Sequence, residues 1–392
     1  MSGGHARLPP SSAEQWGNCP GSVKAQAPYP DLETEESREG TAAHWVASSV
    51  LEGFRGGDYV TCAQLEGTQA PNGVVIDEKM VEGAQIFVDD VIETYERFSE
   101  GKSLLIEHRV HMPEIHPTDN WGTLDSNLYV PARAVLFLWD YKHGHRECDV
   151  VENLQMVDYL NGLVNLYQID GRLEQSTTVV VRIVQPFCYS ASGPIREWVV
   201  RLSDLRALWN KLRMAAAEAL GPSPRLTSGK WCRDCKAVLS CSAARLAGYN
   251  LVDAVKRPYV MDNMTGADLA VERGILKDGV AVAKARLEAI EDELGHRIRR
   301  GETDSGLTLE QSKGREVWNI PTAQVVALVG QLGVDAHKDA VLTPTQTRAA
   351  APREIKGMLS DVISTVTRRP PGKLKLTQAE NTKSARAFQK RN

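Results

Sequence analysis

Between Lys79 and Ser99, Met80, Ala84, Phe87, Val91 and Tyr95 recur near helical spacing, which predicts an amphipathic helix. Upstream, EGTAAHWVASSVLEGF combines small and apolar residues in a second helical pattern, with Thr41 as its expected N-cap and His44 in its first turn. From Leu104 the period changes. SLLIEHRVHM, GTLDSNLYV and AVLFLWDYK read as three successive strands, divided by PEIHPTDNW and by a turn at Pro131. Glu152 to Asp170 returns to helix, and TTVVVRIVQP and REWVVRL return to strand. Ser203 is then expected to cap an alanine-rich helix ending at Gly221.

The order helix, β-meander, helix, strand predicts an α/β fold with a mixed central sheet flanked by helices. Thr265 is expected to cap a long charged helix reaching about Arg300. VWNIPTAQVVALVGQLGV predicts a strand end and a helix. The expected organisation is a main domain over 1–250, a charged helical connector over 251–304, a small accessory unit over 305–366 and a basic, flexible tail over 367–392.

Composition adds little to this picture. The chain has 392 residues, 42% hydrophobic and 24% charged, enough for a sizeable core without a metal to compensate for size. A net charge of −4 argues against a uniformly basic nucleic-acid coat, so any phosphate contact must be local. No stretch has the apolar length of a membrane span, and MSGGHARLPPSSAEQW lacks the apolar run of a secretory signal. The expectation is a cytoplasmic protein with no membrane association, whose seven cysteines are reduced and available to metals.

Two groups of residues carry candidate chemistry. The first is acidic. Asp125 lies within the strand GTLDS, while LWDYKHG ends a strongly apolar strand with Asp140 and Lys142 on one side of it. A divalent cation between the two aspartates would account for charges at the end of a buried strand. Hard oxygen ligands suit Mg²⁺ or Mn²⁺. The competing account is an Asp–Lys pair at a sheet edge beside a turn aspartate. In the next helix, Gln155 and Tyr159 are four residues apart and share a face. The second group is WCRDCKAVLSC, a C-x₂-C-x₅-C array of Cys232, Cys235 and Cys241 that lacks a fourth ligand.

At GTLD, DYK and QMVDY, read in that order, the sequence resembles the RecB-type branch of the PD-(D/E)XK nuclease superfamily. The middle position is Asp140, where many members have glutamate. The resemblance implies a restriction-endonuclease-like core. It also implies His44, in EGTAAH, as a metal ligand beside Asp125 and Asp140, with the Tyr141 backbone carbonyl as a further ligand. Lys142 would position water and stabilise the transition state, and Gln155 and Tyr159 would organise the site and touch the DNA backbone. Glu107, on the preceding strand, would stand behind the ligands as an additional acid.

A subset of that branch, including CRISPR-adaptation and AddB-type nucleases, carries a [4Fe–4S] staple with one cysteine before the nuclease motifs and three after. That pattern makes Cys19, in WGNCPGS, the partner of Cys232, Cys235 and Cys241; zinc at the same thiolates is the alternative. The stretch from PPSSAEQWGNCPGSV to EGTAAH is similar to a phage-encoded group of RecB-like nucleases, as are the tryptophan-containing strand and LTPTQ segment nearer the C-terminus. The resemblance therefore implies a metal-dependent deoxyribonuclease, an exonuclease, hydrolysing phosphodiesters in phage DNA recombination, repair or replication within the host cytosol. Its partners would be single- or double-stranded DNA ends, a phage helicase, single-strand-binding or annealing protein, and further copies of itself. The alternative is a weak or inactive DNA-binding scaffold. Cys62, Cys148 and Cys188 read as apolar fillers, and His108, His111, His143 and His145 as strand or surface histidines.

Overall fold

The computed structural model describes residues 6–31, 33–98, 101–256, 265–302, 304–334, 337–338, 340–352 and 354–379. They form two compact units, divided between Arg286 and Leu287. Among the described residues, no helix is long and apolar enough to cross a membrane.

The first unit is mixed α/β. Its principal elements are α1 (Glu35–Gly56), α2 (Glu78–Glu96), β1 (Ser103–His111), β2 (Trp121–Val130), β3 (Val135–Tyr141), α3 (Leu154–Leu166), β4 (Thr178–Val184), β5 (Ile195–Arg201) and α4 (Arg206–Ala219). The five strands lie in the order β1-β2-β3-β4-β5, antiparallel except for the parallel β3–β4 pair. A parallel pair needs a crossover, and α3 supplies it.

Helices cover both faces of the sheet. Phe137, Trp139 and Tyr141 join one core with Val46 and Leu51 of α1 and Phe87 and Val91 of α2. Leu136 and Leu138 join the other with Leu160 and Leu163 of α3 and Trp209 and Leu212 of α4. β3 is therefore buried on both sides, which explains why its sequence is almost continuously apolar. Leu8, Ala13 and Trp16 of the N-terminal segment complete the second core.

Several element ends differ from expectation. α1 begins at Glu35, so His44 lies well inside it rather than in its first turn. Thr34, not Thr41, caps the helix by accepting from the Ser37 N–H, and Glu35 and Glu36 sit favourably at the positive end of its dipole. The Thr41 hydroxyl instead donates to the Ser37 carbonyl within the helix. Ser203 lies in a 3₁₀ turn, Leu202–Leu205, and caps no helix with its side chain.

After the first unit's core come α5 (Ser242–Lys256) and α6 (Gly266–Arg299). α6 has the expected cap, the Asp268 N–H donating to Thr265 Oγ1 at 3.2 Å. This helix spans much of the expected charged connector, and the boundary between the two units falls within it.

The second unit contains β6 (Leu307–Lys313), β7 (Val317–Trp318), α7 (Thr322–Gln331), α8 (Pro344–Ala350), α9 (Lys356–Thr365), β8 (Thr367–Arg368) and β9 (Pro371–Gln378). Val325, Val329, Leu359 and Ile363 form its core. β6 pairs with β9 and β7 with β8, so residues 367–378 are paired strand and turn where the sequence suggested the start of a flexible tail. The hydroxyl of Thr343 caps α8 in a capping box with Gln346, which accounts for the LTPTQ segment. The rest of the expected tail, from residue 380, lies outside the described residues.

Candidate active site

The β1–β2 ladder carries a local irregularity at the site. Leu104 and Ile106 belong to one core and Val110 to the other, although all three are even-numbered; on β2, Leu128 and Val130 divide from Leu124 in the same way. Strict alternation would keep each set on one face. Both strands therefore exchange faces between Ile106–Ser126 and His108–Leu124, the pairs that flank Glu107 and Asp125. Glu107 takes a φ of +42°, a conformation that costs a non-glycine residue about 1–2 kcal/mol.

This kink brings two carboxylates to α1. His44 Nδ1 lies 3.5 Å from Asp125 Oδ1 and 3.9 Å from Glu107 Oε1. Ligand atoms of His44, Glu107 and Asp125 all lie within 4.8 Å of one another, a spacing that one metal ion could bridge. Asp125 Oδ2 accepts a 2.6 Å hydrogen bond from the Tyr141 N–H, which fixes β2 against the end of β3. Glu107 thus stands among the prospective ligands, not behind them.

Asp140 forms a second arrangement alongside. Its Oδ1 accepts from Gln155 Nε2 at 2.9 Å, and Lys142 Nζ lies 3.0 Å from its Oδ2. The same ammonium reaches Gln155 Oε1 at 3.4 Å. Tyr159 is nearly buried, and its hydroxyl donates to the Thr123 carbonyl at 2.6 Å. It therefore anchors the strand that carries Asp125. Gly122 permits this approach, since a Cβ there would crowd Pro10 and the Tyr159 hydroxyl.

The charges perturb one another strongly. Burial works to lower the His44 pKa, but the charge of Asp125 and hydrogen bonds to Asp125 and Glu107 outweigh it and push the imidazole up to about 10. Burial works to raise Asp125, and the His44 and Lys142 charges carry it below the ordinary carboxylate range instead. Asp140 goes the other way, raised by burial despite Lys142 and pushed further by Asp125. Burial opposes the Lys142 charge, yet Asp140 and Asp125 hold its pKa above the usual lysine value. Two carboxylates with opposite shifts, a half-buried lysine and a histidine make a site suited to cation and proton chemistry.

His44, Asp125, Asp140, Lys142, Gln155 and Tyr159 line a cleft of about 940 Å³ whose other walls include Pro9, Gln15, Trp121 and Lys236. No motif announces the Trp121 wall, where the Arg109 guanidinium lies 3.6 Å from the indole centroid. His143 is buried apart from the His44 set; burial lowers its pKa to about 4, and its ring lies 3.2 Å from the Tyr141 hydroxyl.

The cysteine group also assembles. Cys19, Cys232, Cys235 and Cys241 line one enclosed cavity together with Ser22, Trp231 and Val238. Burial raises the Cys232 and Cys235 thiols, and the neighbouring cysteines add to the rise. The Thr227 N–H donates to Cys19 Sγ at 3.3 Å, a contact that would stabilise a thiolate. Among the described residues, these cysteines do not form one of the groups whose ligand atoms already lie close enough to share one ion. Around one tetrahedral ion, thiolates 2.3 Å from the metal would be spaced by about 3.8 Å. Cys62 and Cys188 are buried and Cys148 half-buried, and none of them lines that cavity.

A family model matches residues 5–384, nearly the whole chain, under the description "Protein of unknown function (DUF2800)". The chain belongs to the DUF2800 family. No solved structure matches it. In this DUF2800 chain the carboxylate cleft and the cysteine cavity both lie in the first unit and within the matched residues.

Proposed function

We propose that the chain is a metal-dependent DNA nuclease of the RecB-like PD-(D/E)XK type, with an exonuclease's preference for DNA ends. The observation that carries this reading is the convergence of His44 and Asp125 with the Asp140–Lys142–Gln155 group in one cleft, with the Glu107 carboxylate beside His44 and Asp125. Further support comes from three antiparallel strands followed by a helical crossover to a parallel strand, with both aspartates on adjacent strands of that meander.

His44, Glu107 and Asp125 would hold Mg²⁺ or Mn²⁺, with Asp140 and the Tyr141 carbonyl as additional donors. The mixture of one nitrogen and several oxygens fits Mn²⁺ as well as Mg²⁺. When bound, the cation would acidify water and offset charge on the scissile phosphate. Lys142 is held by Asp140 and Gln155, so its ammonium is oriented before substrate arrives and can neutralise charge developing on a phosphate oxygen. Asp140 keeps the Lys142 ammonium in place through its 3.0 Å contact. Tyr159 contributes through Thr123 by fixing the Asp125 strand.

The four cysteines would hold a [4Fe–4S] cluster as a structural staple. Their common cavity is compatible with the cluster, and zinc at the same thiolates is the alternative. The proposed setting is phage DNA recombination, repair or replication in the host cytoplasm. Partners there would be a helicase, a single-strand-binding or annealing protein, or further copies of the chain.

The test is degradation of end-labelled linear single- and double-stranded DNA by anaerobically purified protein, with Mn²⁺, Mg²⁺ or EDTA and a Lys142→Ala comparison. Cation-dependent cleavage that falls by at least about 10²-fold in the variant is expected. Cleavage that persists in the variant overturns the assignment to this site. DNA binding without cleavage by folded, cluster-loaded protein would instead identify a scaffold.

A further inference from the structure

The charge of the chain is divided unevenly along its length. Residues 1–300 contain 41 acidic and 32 basic residues, whereas residues 301–392 contain nine acidic and fourteen basic ones. Such asymmetry suggests that one part of a chain meets a polyanion. The second unit has a place where this charge is gathered.

The chain leaving β6 and the chain entering β9 cross closely at Gly314 and Pro370. The Gly314 N–H donates to the Pro370 carbonyl at 2.9 Å, and any Cβ at Gly314 would clash with that same oxygen. Lys313 and Arg315 flank the crossing on one chain, and Arg368 and Arg369 precede it on the other; all four are exposed. The acid nearest in sequence is Glu316, whose side chain is only 10% exposed. It accepts from the Arg348 guanidinium and from Thr367 Oγ1 at 2.9 Å, with Arg369 Nη2 3.8 Å away. Glu316 is thus largely committed inward. Lys313, Arg315 and Arg368 have no acidic partner among the described residues.

We propose that this crossing is a metal-independent grip for the phosphate backbone of double-stranded DNA. Four cations held on a paired, glycine-tightened crossing suit the high charge density of a duplex, about one charge per 1.7 Å of axis. Single strands are held differently, by aromatic side chains that stack unpaired bases. From residue 301 onward the aromatic residues are Trp318 and Phe388. Trp318 packs on the unit's core and donates to the Leu342 carbonyl at 2.9 Å, while Phe388 lies outside the described residues. The crossing therefore offers charge without a stacking surface, so it reads backbone and not base.

The experiment uses full-length protein in EDTA, which removes cleavage and keeps the result independent of the nuclease reading. Fluorescence anisotropy would follow binding to a labelled duplex and to a single strand of equal length across a salt series. Combining Lys313→Ala, Arg315→Ala and Arg368→Ala should weaken duplex binding by about tenfold or more. The same change should flatten the salt slope by about 0.9 for each phosphate no longer neutralised. Replacing Arg315 and Arg368 by lysine should preserve most of that slope. The pair Arg273→Ala and Lys277→Ala, exposed cations of α6, should change neither. Unchanged duplex binding by the folded triple variant overturns the proposal. So does an equal loss on the single strand, or an equal loss in the α6 variant.

Discussion

Glu107 stands beside Asp125 where β1 and β2 exchange faces, and its carboxylate lies 3.9 Å from His44 on a left-handed backbone. A strained residue among prospective metal ligands points to selection for the site over stability. Glu107→Gly should relieve the strain, leaving stability unchanged or raised by up to about 1 kcal/mol, while Mn²⁺ affinity falls at least about tenfold. Glu107→Gln should lose affinity without gaining stability. Mn²⁺ titration by electron paramagnetic resonance, together with thermal melting, checks both. Native Mn²⁺ affinity in both variants would remove Glu107 from the ligand set.

Gln155 touches both partners of an ion pair, donating to Asp140 and accepting from Lys142. Gln155→Ala leaves that pair intact but less restrained. Cleavage should slow by about tenfold, with a melting temperature within a degree or two of the wild type. A loss as deep as that of Lys142→Ala would mean that the amide acts on substrate directly.

Asp158 is fully buried in α3, and burial raises its pKa well above the usual value despite a 2.8 Å hydrogen bond from Asn120. Among the described residues its Oδ2 has no hydrogen-bond partner, a setting that a neutral carboxyl tolerates better than a charged one. Because the folded pKa exceeds the unfolded one, the fold binds the extra proton, and this group's contribution falls as pH rises above about 4. Asp158→Asn removes the penalty. It should raise stability by about 1–3 kcal/mol at pH 8 and by little at pH 4, as read by urea denaturation at both values. An equal effect at both pH values would show that Asp158 ionises within the fold.

Cys19→Ser removes the thiol that, on the proposed reading, ties the N-terminal segment to a cluster shared with Cys232, Cys235 and Cys241. Wild-type protein purified anaerobically should carry about four iron atoms per chain, and the variant far fewer. Loss of a crosslink across so long a loop should destabilise the unit by on the order of 2–5 kcal/mol. One zinc per chain and no iron would replace the cluster with a structural zinc ion.

Much of the first unit is legible in the sequence because each signal is local. The apolar run of β3 marks a strand buried on both faces, and the period of α2 marks a half-buried helix. His44, Asp125, Asp140, Lys142 and Gln155 are likewise readable from short motifs and do meet in one cleft. Glu107 is visible in the sequence, but its place among the ligands is not. That depends on a backbone kink, which no residue type at position 107 announces. Nor can sequence show that the Tyr159 hydroxyl is committed to Thr123, because that bond joins positions 36 residues apart. The start of α1 is obscure for a simpler reason: Thr34 and Thr41 are equally good caps, and the acidic turn after Thr34 decides between them.

The cysteine cavity also bears on how the chain is made. Cys19 leaves the ribosome more than 200 residues ahead of Cys232, Cys235 and Cys241, its partners in the proposed staple. During most of synthesis the segment bearing Leu8, Ala13 and Trp16 has no α4 to rest against, so the core that these side chains complete stays open on one side. The segment made earlier is fastened later. On the proposed iron–sulfur reading, chains made without iron would keep an exposed apolar flank, and supply of the inorganic cluster would set the yield of finished protein.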